Sequence, residues 1–239
     1  RLLEAAPLAA SAEAPDDLAL HRNDVLFSSG AKLFRLGQSE PIADLGWEIT
    51  ALAADGAGRV AAALADGTIA ILGPDGARGS IARLGDGAAR CVTALAFARD
   101  GGLFVAQGSS KRSAAEWKRD LMERRTDGSL WQISPDGGSQ TRFASGLSWP
   151  AGIAVATDGR LIVSESWKHR LVAIAEGRPP VPVLADLPGY PARLHRDPAG
   201  GYWLAVFAPR NQIIEFVQRE PAFLARMFEE VEEAYWAAP

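Results

Sequence analysis

Short apolar runs, each broken by a turn containing Gly or Asp, recur along the 239-residue chain. Five segments share one order of strand, turn, strand, turn and strand. They are PDDLALHRNDVLFSSGAKLFRL (15–36), ITALAADGAGRVAAALADGTIAIL (49–72), VTALAFARDGGLFVAQGS resumed by GSLWQI (92–109 and 128–133), PAGIAVATDGRLIVSESWKHRLVAI (150–174) and PARLHRDPAGGYWLAVFAPRNQIIEF (191–216). Alternating apolar positions bounded by Asp-Gly mark β-hairpins, because such turns need residues that accept positive φ. Asp-Gly pairs begin at Asp55, Asp66, Asp75, Asp86, Asp100, Asp127, Asp136 and Asp158. That density argues against a helical protein.

Fourth strands fit between the units at PIADLG (41–46), SIARLG (80–85), TRFASGL (141–147) and PVLADLPG (182–189). Units of this length and spacing are blades of a β-propeller. The pattern therefore predicts one all-β domain over 1–239, with blades near 15–46, 48–84, 91–147, 150–188 and 191–217. The third unit is lengthened by KRSAAEWKRDLMERR (111–125), which lacks Gly and Pro and sets Trp117 and Leu121 four apart. It predicts a short amphipathic helix between two strands. At the start, residues 1–9 resemble a lone closing strand, of the kind that seals a propeller by completing the last blade. The expectation is thus a six-bladed β-propeller whose last blade is incomplete in a chain that naturally continues. Residues 218–239 form a helical extension, with a helix near 221–236: Pro221 suits its first turn, and Phe223, Met227, Val231 and Tyr235 repeat every four residues.

Composition narrows the classes of function. A formal charge of −4 offers no basic excess for phosphate backbones, so nucleic acid is not an expected partner. No apolar run approaches a membrane span, so a soluble protein is expected, in the cytoplasm, in the periplasm or secreted. The single cysteine, Cys91, allows no internal disulfide and leaves the compartment open. G-x-S-x-G, P-loop, H-E-x-x-H and paired C-x-x-C signatures are absent from the sequence.

Residues 126–174 and 183–206 carry a more specific pattern. Its marks are Gly-Leu-x-x-Pro-x-Gly at 146–152, the hairpin SESWKHRL, and LPGYPARLHRDPAGGYW before the next strand pair. Over roughly 126–206 the chain resembles the strictosidine-synthase-like branch of the six-bladed propellers, a group related to the senescence-marker/gluconolactonase and paraoxonase families. The resemblance implies a site at the mouth of the central channel, lined by the starts of the innermost strands. In calcium-dependent lactonases of the superfamily, an acidic residue and later Asn or Asp residues hold the metal there. Here Asp16 and Asp17 match the first position. The later positions carry Thr93 with Ala94, then Ala151, then Ala192 with Arg193. One acidic start does not make a calcium site, so no metal ligand and no cofactor is expected. Strictosidine synthase, as the resemblance implies, works without a metal by joining an amine to an aldehyde with a late-blade carboxylate. No residue of this chain matches that carboxylate, and Glu215, placed on a strand, is not nominated.

The expected function is a metal-independent small-molecule enzyme of lyase, condensation or hydrolase type. The alternatives are a non-catalytic ligand-binding or sensory propeller and a calcium-dependent lactonase or esterase. Catalytic candidates are Glu165, beside His169 in the sequence, and Asp16 and Asp17; each could equally fix a turn or hairpin. Ligand-binding candidates are Trp149, Tyr190, Arg193 and Thr93 at blade starts, with Arg193 suited to an anion through its planar fork. His21 and His195 read as surface residues and Cys91 as a packed one. The oligomeric state is left open.

Overall fold

The computed structural model describes residues 6–8, 11–74, 78–81, 84, 91–197 and 199–236. Four antiparallel sheets of four strands follow one another along the chain. They comprise β1 Pro15–His21, β2 Asp24–Ser29, β3 Lys32–Arg35 and β4 Ala43–Asp44; then β5 Ile49–Ala54, β6 Val60–Leu64, β7 Ile69–Leu72 and β8 Arg78–Ile81. The third holds β9 Val92–Phe97, β10 Leu103–Gln107, β11 Gly128–Ile133 and β12 Gln140–Leu147. The fourth holds β13 Pro150–Val155, β14 Leu161–Glu165, β15 Arg170–Ile174 and β16 Val181–Leu184. A fifth sheet has two strands, β17 Gly189–Arg196 and β18 Tyr202–Pro209.

Burial follows this order. The second strands β6, β10 and β14 are buried at every residue, whereas β16 at an outer edge is exposed throughout. Each sheet packs its face on the next. Ala51, Ala61 and Ala63 meet Val92, Leu95 and Val105, and Phe104, Ala106 and Leu130 meet Ile153, Leu161 and Val163. Fully burying one such Val, Leu, Ile or Phe side chain contributes about 1.5–3 kcal/mol, so the repeated faces stabilise the ring more than any one turn does. Close approach also dictates Gly152: a Cβ there would lie 2.3 Å from the Ala192 carbonyl oxygen and 2.8 Å from the Leu194 nitrogen.

The number of blades differs from the six expected from sequence. The described residues form a propeller of four complete blades, and the fifth sheet stops at two strands. QIIEF, read from sequence as a third strand of that sheet, lies in helix α2 Gln212–Val217. The reason is local. Asn211 stands before the helix in extended conformation, and its side-chain oxygen accepts from Ile213 N–H at 2.9 Å and Ile214 N–H at 3.4 Å. An N-cap of this kind satisfies amides that a strand would need to pair elsewhere. Pro221 then opens a further helix, α3 Pro221–Glu230, and a 3-10 turn follows at Glu233–Tyr235. The supposed closing strand 1–9 falls mostly outside the described residues, and 6–8 are not in a strand.

Between β10 and β11 the inserted segment forms a 3-10 turn, Ala114–Glu116, and helix α1, Trp117–Met122. Ala114 and Trp117, like Trp167, pack on the buried cluster of Cys91, Trp149 and Ala151. On its other side Met122 packs with Val217 and Met227, and Gln218 Nε2 donates to the Leu121 carbonyl at 2.8 Å. The insertion therefore joins the third blade to the helices after β18, at the end of the propeller where the innermost strands begin.

Candidate functional site

Two structures meet at that end. The first lies on the channel axis. Arg193 of β17 donates from Nη1 to the Thr93 carbonyl, and more distantly to the Ala151 carbonyl at 3.5 Å. Its Nη2 donates to the Thr50 carbonyl at 2.8 Å and to Asp16 Oδ2 at 2.9 Å, and its Nε pairs with Asp17 Oδ1 at 3.2 Å. Asp17 is buried, and its other oxygen accepts from Leu52 N–H at 2.8 Å. Beside this knot a cavity of about 10 Å³ is lined by Asp17, Leu52, Ala94, Ile153 and Arg193, room for one water at most.

The same ring bears on whether a calcium ion fits there. The oxygens a hard cation would use, from Asp16, Asp17, Thr50, Thr93 and Ala151, are turned onto a guanidinium. Ala94, Ala151 and Ala192 supply no side-chain oxygen. A calcium ion takes six to eight oxygens, and here they would have to be free of a competing cation; among the described residues no three acidic, His or Cys side chains form a metal-binding group. On the axis, these residues leave no set of oxygens free for a calcium ion.

The second structure is an aromatic and ionic cluster above blades four and five. Trp149 stacks on Trp167 with ring centres 5.1 Å apart, and Trp167 meets Tyr190 edge-on at 5.9 Å. Tyr190 in turn lies 4.5 Å from the His169 ring. Trp149 and His169 both hold left-handed backbone, with φ of 51° and 49°. That conformation is costly for a bulky side chain and collects at functional positions. His169 tolerates it as the residue closing the 3-10 turn Ser166–Lys168, its N–H donating to the Ser166 carbonyl at 3.2 Å.

His169 is the most chemically defined group of the cluster. Its Nδ1 lies 3.1 Å from the Gly189 carbonyl oxygen. A carbonyl only accepts, so the proton sits on Nδ1 and the neutral ring carries its lone pair on Nε2. Burial pushes the ring's proton affinity below the ordinary histidine value; the Gly189 carbonyl opposes this and Arg210 adds to it. Next to it, Arg210 Nε donates to Glu215 Oε1 at 2.6 Å. That bond holds the Glu215 carboxyl below the usual carboxylate range. Burial, with Glu215 adding, raises the Tyr190 phenol above its ordinary value, so it stays protonated at neutral pH.

Asp120 of α1 roofs this cluster. It is fully buried, and Oδ1 accepts from Trp167 Nε1 at 2.8 Å. Its Oδ2 has no hydrogen-bond partner among the described residues, with Arg125 Nε at 3.8 Å. Burial raises its carboxyl above the usual range, against hydrogen bonds from Trp167 and Ser109.

The sequence candidates divide between these structures. Asp16, Asp17, Thr93 and Arg193 meet on the axis, where Thr93 also donates from Oγ1 to the Pro150 carbonyl at 2.5 Å. Trp149 and Tyr190 belong to the aromatic cluster. Glu165 lies in neither. It is fully buried, accepts from Ser148 N–H at 3.0 Å, and pairs with Arg170 at 2.5 Å and Lys168 at 3.3 Å. His169, its neighbour in sequence, turns to Gly189 instead. His21 Nε2 lies 3.0 Å from the Gly58 carbonyl oxygen, and His195 is exposed. Burial pushes the Cys91 thiol up to about 12, which keeps it from acting as a thiolate. Sequence reasoning missed Asp120, Trp167 and Arg210, and set Glu215 aside as a strand residue, whereas it lies in α2. Only the SESWKHRL hairpin pointed near them.

Known proteins share this scaffold. Residues 147–174, the fourth blade through β15, match the NHL repeat family. Over 127 residues the chain is 28% identical to Protein STRICTOSIDINE SYNTHASE-LIKE 13 of Arabidopsis thaliana, a stretch covering 52% of this chain and 32% of that protein. The chain thus spans about a third of that relative's length. A gluconolactonase from Xanthomonas campestris superposes with a TM-score of 0.63 at 20% identity, covering 80% of this chain and 69% of that one. A chain of the nidogen/laminin complex gives 0.64 at 15% identity, covering 81% and 72%. A catalytically inactive His-to-Ala variant of virginiamycin B lyase from Staphylococcus aureus, with quinupristin, gives 0.58 at 13% identity, covering 81% and 63%. The chain is a β-propeller related to strictosidine-synthase-like proteins, and it shares its fold with a gluconolactonase, a lyase and a chain of the nidogen/laminin complex. No helix among the described residues is long and apolar enough to cross a membrane.

Proposed function

We propose that this protein is a small-molecule enzyme of lyase or hydrolase type that works without a metal ion, by general-base chemistry at the channel mouth. The observation carrying the reading is His169, with Nδ1 committed to the Gly189 carbonyl and the ring kept neutral by burial. A half-buried neutral imidazole with its lone pair on Nε2 takes a proton from a substrate or from water at neutral pH. The protonated Tyr190 hydroxyl is the nearest candidate proton donor. The Arg210–Glu215 pair supplies a fixed charge of each sign beside the ring. Trp167, stacked on the buried Trp149, offers apolar surface for an organic substrate. The histidine whose loss inactivates virginiamycin B lyase is consistent with a histidine base on this fold.

The test is turnover of a panel of small lactones, esters and amine–aldehyde pairs, with chelator present throughout. His169→Ala and His169→Gln are expected to lower kcat by about 10²–10⁴. Variants as active as the parent would refute the assignment. One observation favours a second reading, a binding propeller: the cavity beside Arg193, about 10 Å³, has no room for an organic substrate to react there. That reading predicts no turnover anywhere on the panel, with ligand binding still sensitive to Trp149→Ala.

A further inference from the structure

We infer that the Arg193 guanidinium is the built-in cation of the propeller axis, tying the last innermost strand to the other four and closing the axis to metal ions. The innermost strands align by their repeat as PDDL, ITAL, VTAL, PAGI and PARL. Arg193 is then equivalent to Asp17, Ala51, Ala94 and Gly152. Three of those four side chains are a methyl group or a hydrogen, which leaves the ring open for one long side chain. The fourth is a carboxylate, the charge complement of that side chain.

Every N–H direction of the guanidinium has an acceptor. A guanidinium carries five N–H groups in a rigid fork, and five oxygens face them: Thr93 and Ala151 carbonyls, Thr50 carbonyl, Asp16 and Asp17. These come from β1, β5, β9 and β13, one from each complete blade and a second from β1. The Asp16, Thr50, Thr93 and Ala151 contacts all fall on the second residue of their strand. A ring of oxygens at equivalent positions around a channel is also what a hard cation would select. Here the charge is supplied by the chain, at 2.9 Å from Asp16 and 3.2 Å from Asp17. The pairs with β1 join the last inner strand to the first, so the guanidinium is a clasp as well as a counter-ion.

This assignment goes beyond the His169 chemistry and stands apart from it, because it is tested without measuring activity. The melting temperature is measured for the parent protein, Arg193→Ala and Arg193→Lys, each with calcium chloride and with chelator. The parent is expected to melt at the same temperature in both, and to show no calcium binding by titration calorimetry. Both variants are expected to melt about 5–10 °C lower, since alanine leaves Asp17 and the carbonyls without their donor and lysine's point charge on a flexible stem cannot fill the fork. Calcium raising the parent's melting temperature, or Arg193→Ala melting with the parent, overturns the inference. Should Arg193→Ala fail to fold, Arg193→Lys and the calcium titration of the parent decide it.

Discussion

Replacing Glu165 separates a carboxylate that holds the fold from one that does chemistry. The side chain is fully buried, while its partners Arg170 and Lys168 are 26% and 37% exposed. Glu165→Gln keeps an oxygen to accept the Ser148 N–H and removes the charge that pairs with Arg170 at 2.5 Å. A hydrogen bond to a charged group contributes about 1.5–3 kcal/mol. The two cations can still turn to water, so the net cost of the amide is about 1–2 kcal/mol. Glu165→Ala also strands the buried Ser148 N–H and opens a cavity, which brings the loss to about 3 kcal/mol, the lower end for a broken buried pair. At about 2–4 °C per kcal/mol for a chain of this size, melting should fall by roughly 2–8 °C and 6–12 °C. The assay is a thermal melt of both variants beside turnover at a temperature where each stays folded. Both should retain the parent's kcat within a factor of about three, since Glu165 bonds to Lys168, Arg170 and Ser148 and to none of His169, Tyr190, Arg210 or Glu215. If Glu165→Gln kept its melting temperature and lost turnover by about 10² or more, the carboxylate would be catalytic and the reasoning refuted.

Gly152→Ala should destabilise the fold by about 3 kcal/mol or more, because its Cβ would meet backbone atoms of β17 that cannot swing aside; a chemical denaturation curve measures this. Cys91 should resist iodoacetamide at pH 8 in the native protein and react once it is unfolded, given a thiol pushed up to about 12; mass spectrometry of the labelled chain reports it. His169 predicts a pH dependence. Its folded pKa lies below the ordinary value of 6.5, so the unfolded chain binds the proton more readily. Stability is therefore highest above 6.5 and falls as pH drops from there toward the folded value. The acidic limb of kcat/KM should likewise lie below 6.5, and a limb above it would show that another group is the base.

Much of the propeller was legible because its causes are local. Asp158 fixes its hairpin by accepting Arg160 N–H at 3.1 Å, while Gly159 takes φ of 84°. Each unit repeats that solution with its own Asp-Gly pair or a near equivalent, so strand order could be read without tertiary information. The fifth unit was harder for the same reason. QIIEF is too short for its apolar spacing to separate strand from helix, and the choice rested on Asn211 capping the amides that follow it. That reversal leaves β17 and β18 as a two-stranded sheet, against the six blades expected.

The candidate site was legible as residue types and not as partnerships. Glu165 and His169 are four apart in sequence, yet the first turns to Arg170 and the second to Gly189. Asp120 meets Trp167 across 47 residues, and Arg193 meets Asp16 across 177. The sequence by itself determined the alternation, the turns and the small residues that let inner strands approach one another. Those follow from backbone sterics and burial within a few residues. The tertiary structure alone decided which charges met, because only the closing of successive blades brings Arg193 to five oxygens from the other inner strands and covers most of its side chain.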